Sequence, residues 1–153
     1  MKTIEGQHKS NAKRYGIVVS RFNDFITRRL LDGCLKELKH RGVKDNEITV
    51  IWVPGSFEIP VVALRLAKKK SIDAVICLGA VIRGETLHFD LVARAVSRGT
   101  AQVALLTEKP VIFGVLATDT IQQAYKRSEL SGDNKGKDAA VSAIEMANLL
   151  DQL

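Results

Sequence analysis

Four short apolar runs, separated by segments long enough to form helices, constrain the fold of this chain most. The runs are Tyr15–Ser20, Ile48–Val53, Ala74–Leu78 and Val111–Leu116. They are nearly continuous in apolar residues instead of alternating with polar ones, which is typical of parallel strands covered on both faces. We therefore predict an α/β domain, built as a three-layer sandwich around a central four-stranded parallel sheet with right-handed crossovers.

Helical periodicity fills the segments between these runs. The predicted helices span Asn23–Arg41, Ser56–Lys70, Thr86–Thr107, a stretch from the cap Thr118-Asp119-Thr120 to Arg127, and the chain from about Lys137 onward. Asp24 is the expected cap of the first helix, and Gly42 its expected stop. The first dozen residues are polar and match no element, which predicts a frayed tail.

Size and composition indicate one globular domain over residues 1–153. No apolar run is long enough to span a bilayer, and the N-terminus lacks the apolar middle of a signal peptide, so we expect a cytoplasmic protein. Cys34 and Cys77 fall within a helical and a strand pattern, without metal-ligand spacing. They predict two buried free thiols in a reducing compartment and no metal site.

The net charge of +6 raises the hypothesis of a nucleic-acid partner. However, the basic residues are scattered, and the one run, Lys68–Lys70, comes where a helix should end and where cations are favoured by the helix dipole. Aromatic residues make up 5% of the chain and are not interleaved with the basic ones. We therefore expect small anionic ligands and not nucleic acid.

Ligands of open parallel sheets bind beyond the carboxyl ends of the strands. The residues at these ends are Arg21-Phe22-Asn23, Pro54-Gly55-Ser56-Phe57-Glu58, and Gly79–Thr86 followed by His88. Phe113 and Gly114 lie within the fourth run. Phe22 and Phe57 are either core aromatics or ligand contacts. Gly55-Ser56 is either a turn and cap or a ligand edge. Glu58 would also be favourable in a first helical turn without any ligand.

Gly84-Glu85-Thr86, at an expected helix start, can hold an anion by backbone N–H groups. His88 follows directly, and it is either a packed histidine or a proton carrier beside a bound phosphate. Arg127 and Lys135 read as ordinary surface cations on the sequence alone. Together these patterns predict a site at the sheet edge suited to a polar ring and a phosphate.

Blocks of sequence along nearly the whole chain resemble the lumazine synthase family of riboflavin biosynthesis. The blocks are Arg21-Phe22-Asn23, Val53–Pro60, Leu78–Phe89, Phe113–Leu116, Asn134-Lys135-Gly136 and Ser142–Leu149. The resemblance implies a flavodoxin-like strand order and a condensation that needs no cofactor. The substrates would be 5-amino-6-(D-ribitylamino)uracil and 3,4-dihydroxy-2-butanone 4-phosphate.

The resemblance also implies a role for each matching residue. Phe22 would stack on the pyrimidine, and Ser56, Phe57 and Glu58 would hold the ribityl chain. Ala80, Val81 and Ile82 would offer backbone groups to the pyrimidine edge. Glu85 and Thr86 would bind phosphate through backbone N–H groups, with Arg127 paired to it and Lys135 close by. His88 would carry the proton, and Phe113 would come from a neighbouring subunit.

Assembly is a further implication of the resemblance. An N-terminal strand would add to the sheet edge of the next subunit in a pentamer, and family members form pentamers, decamers or sixty-subunit shells, with riboflavin synthase as a potential partner. The stretch Glu129–Asp133 departs from the pattern common in the family, as does Asp138, where glutamate is frequent. The alternative function is a flavin- or lumazine-binding or shell-forming protein without catalysis, against which His88 and Arg127 argue.

Overall fold

The computed structural model describes all 153 residues and alternates strands with helices as predicted. The strands are β1 (Tyr15–Ser20), β2 (Ile48–Val53), β3 (Ala74–Ile82) and β4 (Val111–Thr118). The helices are α1 (Asp24–His40), α2 (Ile59–Ala67), α3 (His88–Thr107), α4 (Ile121–Lys126) and α5 (Lys135–Leu150). All strand pairs are parallel in the order β2-β1-β3-β4, which confirms the flavodoxin-like order.

Two apolar cores, one on each face of the sheet, make the fold a three-layer sandwich. The first joins β1 and β3, through Ile17 and Ile76 among others, to α1 and α5. The second joins the opposite face of the same strands, through Val18 and Cys77, to α2 and α3. Neighbouring residues of a strand point to opposite faces, so adjacent apolar residues serve both cores. The predicted helices on both faces are thereby confirmed.

The two cysteines are free and buried, as predicted, and lie in different cores. Burial raises the pKa of the Cys77 thiol to about 12. It also raises the pKa of Cys34 well above its usual range. Both side chains therefore act as small apolar groups.

Burial differs between the central and the edge strands. Every residue of β1 is buried, and so is every residue of β3 except Ile82, whereas most of β2 and half of β4 remain partly or fully exposed. The expectation that both faces are covered therefore holds for the two central strands. It is wrong for the edge strands β2 and β4, which are covered less completely.

The start of α3 differs from the prediction. The helix begins at His88 and not at Thr86, because β3 runs on to Ile82, which pairs with Thr118 of β4. Glu85 and Thr86 consequently lie in a loop and not in a first helical turn. Similarly, Ser56–Glu58 forms a separate 3-10 turn before α2.

The ends of α1 and α4 test the predicted caps. Asp24 is not the cap of α1, because Asn23 holds the N-cap position with a left-handed φ of 60° and makes no side-chain cap bond. Gly42, with φ 95°, follows the helix end as predicted. Thr120 caps α4 as predicted, since its hydroxyl accepts the Gln123 N–H at 3.1 Å.

The polar N-terminal segment is anchored, so the prediction of a frayed tail is wrong. The side-chain amide of Asn148 in α5 donates to the carbonyls of Gln7, at 2.8 Å, and Lys9, at 3.0 Å. Gly6 is buried directly against the backbone of Glu145, where a Cβ would clash. The segment before Tyr15 contains no strand and lies against α5. No helix is both long and apolar enough to cross a membrane.

Candidate functional site

A cavity of about 800 Å³ opens at the carboxyl end of the sheet. It is bounded by the β1–α1 loop, the 3-10 turn before α2, the end of β3 and the first turns of α3. The residues predicted to bind the pyrimidine or the ribityl chain all line it, namely Phe22, Ser56, Phe57, Glu58, Ala80, Val81 and Ile82, together with Thr86 and His88. Phe89, Leu91 and Val92, which the sequence did not single out as ligand contacts, add an apolar wall from α3.

Two aromatic rings border this cavity and are largely open to solvent. Phe22 is 71% exposed and Phe57 is 63% exposed, which rules out the reading of either as a core aromatic. Exposed rings of this size beside a cavity are typical of binding surfaces. A flat heterocycle can stack on such a face.

Gly79 lets the Ser56 side chain pack directly against β3, and sequence reasoning did not assign it this role. A Cβ at Gly79 would lie 2.6 Å from Ser56 Oγ and 3.1 Å from Ser20 Oγ. Any side chain here would displace the Ser56 hydroxyl, whose residue is buried. The signal in the sequence was a glycine inside an apolar strand. A glycine at such a position often marks a place where another group approaches the backbone closely.

The β1–α1 loop is fixed against the other strands by hydrogen bonds. The N–H groups of Arg21 and Phe22 donate to the carbonyls of Val53, at 2.8 Å, and Pro54, at 3.0 Å. The side chain of Asn23 donates to the Ala80 carbonyl at 2.9 Å. Asn23 therefore joins two walls of the cavity. Sequence analysis included Asn23 in the Arg-Phe-Asn block but did not predict this role.

The loop between β3 and α3 offers free hydrogen-bond donors. The backbone N–H groups of Gly84, Glu85 and Thr86 donate to no acceptor within the chain. Gly84 and Thr86 line the cavity, whereas Glu85 is exposed in the same loop without lining it. Successive unpaired N–H groups just ahead of a long helix can bind an anion.

His88 is the first residue of α3 and lines the cavity with an exposed side chain. Its backbone N–H lies 3.4 Å from Thr86 Oγ1. The reading of His88 as a packed, half-buried histidine is therefore wrong. An accessible imidazole next to free N–H donors can exchange protons with an anionic substrate.

Phe113, Arg127 and Lys135 lie elsewhere, around a second cavity of about 300 Å³ along β4 and α5. Phe113 lies within β4, opposite Cys77, as its place in the fourth apolar run predicted. It is 47% exposed. The two cavities share no lining residue, so one chain does not unite all the predicted site residues.

The two cations of the second cavity differ in their pairing. Lys135 contacts Asp138 and Asp133, both at 3.1 Å, and the hydrogen bonds to these carboxylates raise the pKa of Lys135. Arg127, at the end of α4, is exposed and has no ion-pair partner in the chain, although nearby Asp138 lines the same cavity. Its guanidinium is available for an external anion.

Nothing in the arrangement resembles a metal centre, since no three His, Cys, Asp or Glu side chains cluster closely enough to hold an ion. The large cavity instead combines stacking surfaces, a half-buried carboxylate at Glu58, anion donors and an imidazole. This set can align a flat polar ring with a phosphorylated partner and move protons between them.

Comparison with known proteins agrees with this chemistry. The family described as 6,7-dimethyl-8-ribityllumazine synthase matches residues 12–151. A relative of that name from Desulfotalea psychrophila is 55% identical over 150 residues, which cover 98% of this chain and 97% of the relative. The chain therefore belongs to the 6,7-dimethyl-8-ribityllumazine synthase family.

Proposed function

We propose that this chain condenses 5-amino-6-(D-ribitylamino)uracil with 3,4-dihydroxy-2-butanone 4-phosphate to give 6,7-dimethyl-8-ribityllumazine, the penultimate step of riboflavin biosynthesis. The primary amine attacks the ketone and water leaves as the imine forms. Phosphate is then eliminated, and the second amine closes the ring with loss of another water. The supporting observation is one cavity that combines exposed aromatic rings with free N–H donors and His88.

The ribitylaminouracil would occupy the part of the cavity nearest β1 and α2. Phe22 stacks on the pyrimidine, and the backbone of Ala80, Val81 and Ile82 bonds its edge. Ser56, Phe57 and Glu58 hold the ribityl chain, with the Glu58 carboxylate accepting from its hydroxyls. The half-buried position of Glu58, without an ion-pair partner in the chain, supports this role because a carboxylate there lacks other partners.

The phosphate would lie at the β3–α3 loop. Its oxygens accept from the unpaired N–H groups of Glu85 and Thr86. His88, directly after this loop, takes the proton from the attacking amine and returns one to the departing water. No cofactor is required, because alignment of two reactive partners supplies much of the reduction of the barrier.

We further propose that the active site is completed by a second subunit, which contributes Phe113, Arg127 and Lys135. In one chain these residues surround a different cavity from His88, yet they offer an open aromatic face and an unpaired guanidinium. Placed against the large cavity of a neighbour, Arg127 would pair with the phosphate and Lys135 would lie close to it.

Mixed assemblies test this arrangement. We expect that His88→Ala and Arg127→Ala subunits, denatured together and reassembled, regain activity above the mean of the two unmixed variants. Each chain supplies the residue the other lacks, and about a quarter of the sites in randomly mixed rings are intact. Mixtures no more active than that mean would show that both residues serve the same chain's site.

The reaction itself is tested by mixing the protein with both substrates and following the absorbance and fluorescence of the lumazine. Product formation no faster than in buffer would refute the proposed reaction. Binding of riboflavin without turnover would instead favour a non-catalytic flavin- or lumazine-binding protein. Omitting either substrate provides the control.

We propose that the chain forms a homo-oligomer, which is a pentamer, a decamer or a sixty-subunit shell. Residues 1–153 act as one domain in it. The outer side of β2 pairs with no strand in the chain, and the N-terminal segment would add a strand there in the next subunit. Riboflavin synthase is the proposed partner. A cytoplasmic location is supported by two free buried thiols. Particle mass measures the assembly, and a monomer would contradict it.

A further inference from the structure

Arg83, the first residue after β3, contacts the side chains of Asp119, Asp90 and Phe89. Its Nε donates to Asp119 Oδ1 at 2.8 Å, and one terminal nitrogen lies 3.6 Å from Asp90 Oδ2. The guanidinium also stands over the ring of Phe89, 4.5 Å from its centroid. Hydrogen bonds to carboxylates hold the Arg83 pKa above its ordinary value.

These partners belong to two different parts of the fold. Phe89 and Asp90 are in the first turn of α3, directly after His88. Asp119 is in the loop between β4 and α4, and its own N–H donates to Gln123 Oε1 at 2.8 Å. Arg83 therefore ties the start of the histidine-bearing helix to a loop that is itself held in place.

The loop that Arg83 introduces has few other fixed points. From Gly84 to Leu87 no backbone N–H is bonded, and the only side-chain bond is a long one in which Thr86 Oγ1 accepts the His88 N–H. On the strand side, the Arg83 N–H donates to the Thr118 carbonyl at 2.9 Å. The loop conformation thus depends on what holds its two ends, and Arg83 contacts both.

We propose that Arg83 is a positioning residue, which holds the Gly84–Leu87 loop and His88 in place through Asp119 and Asp90. This inference rests on the proposed function, in which that loop binds phosphate and His88 carries the proton. In this role Arg83 acts through the loop and not on the phosphate itself, because its Nε donates to Asp119 and its guanidinium faces Asp90 and the ring of Phe89.

Substitution of Asp119, the carboxylate partner of Arg83, distinguishes a positioning role of Arg83 from direct binding of the phosphate. If Arg83 positions the loop, Arg83→Ala and Asp119→Asn both weaken phosphate binding, since the first removes the contact and the second removes its charge. If Arg83 binds phosphate, Asp119→Asn frees the guanidinium and preserves or tightens phosphate binding. If two residues act through the same contact, substituting both should weaken phosphate binding no more than the more damaging single substitution does.

The experiment uses the assembled protein with the variants Arg83→Ala, Asp119→Asn and their combination. We expect each to raise the KM for the butanone phosphate and the inhibition constant of inorganic phosphate by about 10-fold. We also expect kcat to fall and the KM for ribitylaminouracil to stay within about 2-fold. Arg83→Lys should recover part of the loss through a single ion pair.

Arg65→Ala is the matched control, because Arg65 is exposed on α2 and lines neither cavity. It should leave all constants unchanged. Particle mass and the thermal unfolding midpoint show whether each variant is folded. If Arg83→Ala does not assemble, Arg83→Lys and Asp119→Asn decide the question.

Three outcomes would overturn the inference. The first is a phosphate affinity that is unchanged or higher in Asp119→Asn. The second is a double variant in which the losses of phosphate affinity of the two single variants add. The third is an equal rise of KM for both substrates. A parent protein that makes no lumazine would refute the proposed function instead. In that case the binding of inorganic phosphate, measured by calorimetry on the same variants, still tests the tie between Arg83 and the loop.

Discussion

Asn23 and Ala80 are joined by a hydrogen bond of 2.9 Å from the side-chain amide of the former to the carbonyl of the latter. The bond fixes the β1–α1 loop against the end of β3. Phe22, adjacent to Asn23, and Ala80 both line the large cavity. The distance between the exposed ring and the opposite wall therefore depends in part on this contact and on the left-handed backbone of Asn23.

Asn23→Ala should lower the free energy of unfolding by about 2 kcal/mol, of which roughly half is the lost hydrogen bond and half the cost of a left-handed alanine. Asn23→Gly should lose only about 1 kcal/mol, since glycine adopts positive φ without strain. Denaturant unfolding of both variants measures the difference. Equal losses would show that the left-handed conformation contributes nothing.

The strands were the most predictable part of the fold. β1 and β2 match their apolar runs from end to end, because strands that need apolar side chains leave an unbroken pattern. β3 was predicted too short, since Gly79 looks like the end of a strand. Its pairing with β4 carries the strand on to Ile82, and no local pattern reveals that partner.

The site was only partly predictable for a related reason. The residues of the large cavity follow consecutive strands, so a general rule about parallel sheets groups them. Phe113 lies within a strand, and Arg127 and Lys135 flank an irregular loop, where spacing along the chain does not determine position. The anchoring of the N-terminal segment depends on Asn148, distant in sequence, which explains why a frayed tail was expected.

Gly136 should be irreplaceable because it brings the backbone of α5 directly against that of α1. A Cβ on Gly136 would overlap the carbonyl oxygen and backbone carbon of Leu30, and backbone atoms cannot rotate away. We expect Gly136→Ala to lower the free energy of unfolding by about 3 kcal/mol or to prevent folding. Gly84→Ala is the control, since a Cβ at Gly84 meets no atom within 4 Å. Urea midpoints compare the two.

Alkaline pH should destabilise the fold through its buried thiols. Burial raises the pKa of Cys77 from 9.0 to about 12, and that of Cys34 further. A raised pKa gives stability that is complete below the unfolded value and is lost as the pH rises toward the folded value. The free energy of unfolding should therefore fall with pH above 9.0, the ordinary thiol value. Tyr15, with its pKa raised from 10.0 to about 12, adds to the fall at higher pH.

Denaturant unfolding at several pH values measures this slope, and Cys77→Ala should make it shallower. A thiol reagent provides an independent check, because neither cysteine should react in the native protein and both should react once it is unfolded. Rapid labelling of either thiol without unfolding would contradict the burial.

His88→Ala should slow turnover without abolishing it. The proposed reaction depends partly on the alignment of two reactive molecules, and general acid–base catalysis adds about 100-fold or more to that. We expect kcat to fall by about 100-fold with little change in the KM for ribitylaminouracil. A variant that turns over as fast as the parent would remove His88 from proton transfer.

Arg127→Ala should weaken the binding of the butanone phosphate by about 1.5–3 kcal/mol, the scale of a hydrogen bond to a charged group. Arg127 has no ion-pair partner in the chain, so its guanidinium can direct its donors to the phosphate. Steady-state kinetics should show a raised KM for that substrate alone. Lys126→Ala is the control, because this adjacent exposed cation lines neither cavity and should leave the KM unchanged. Equal effects of the two substitutions would indicate a general loss of positive charge and not a specific contact at Arg127.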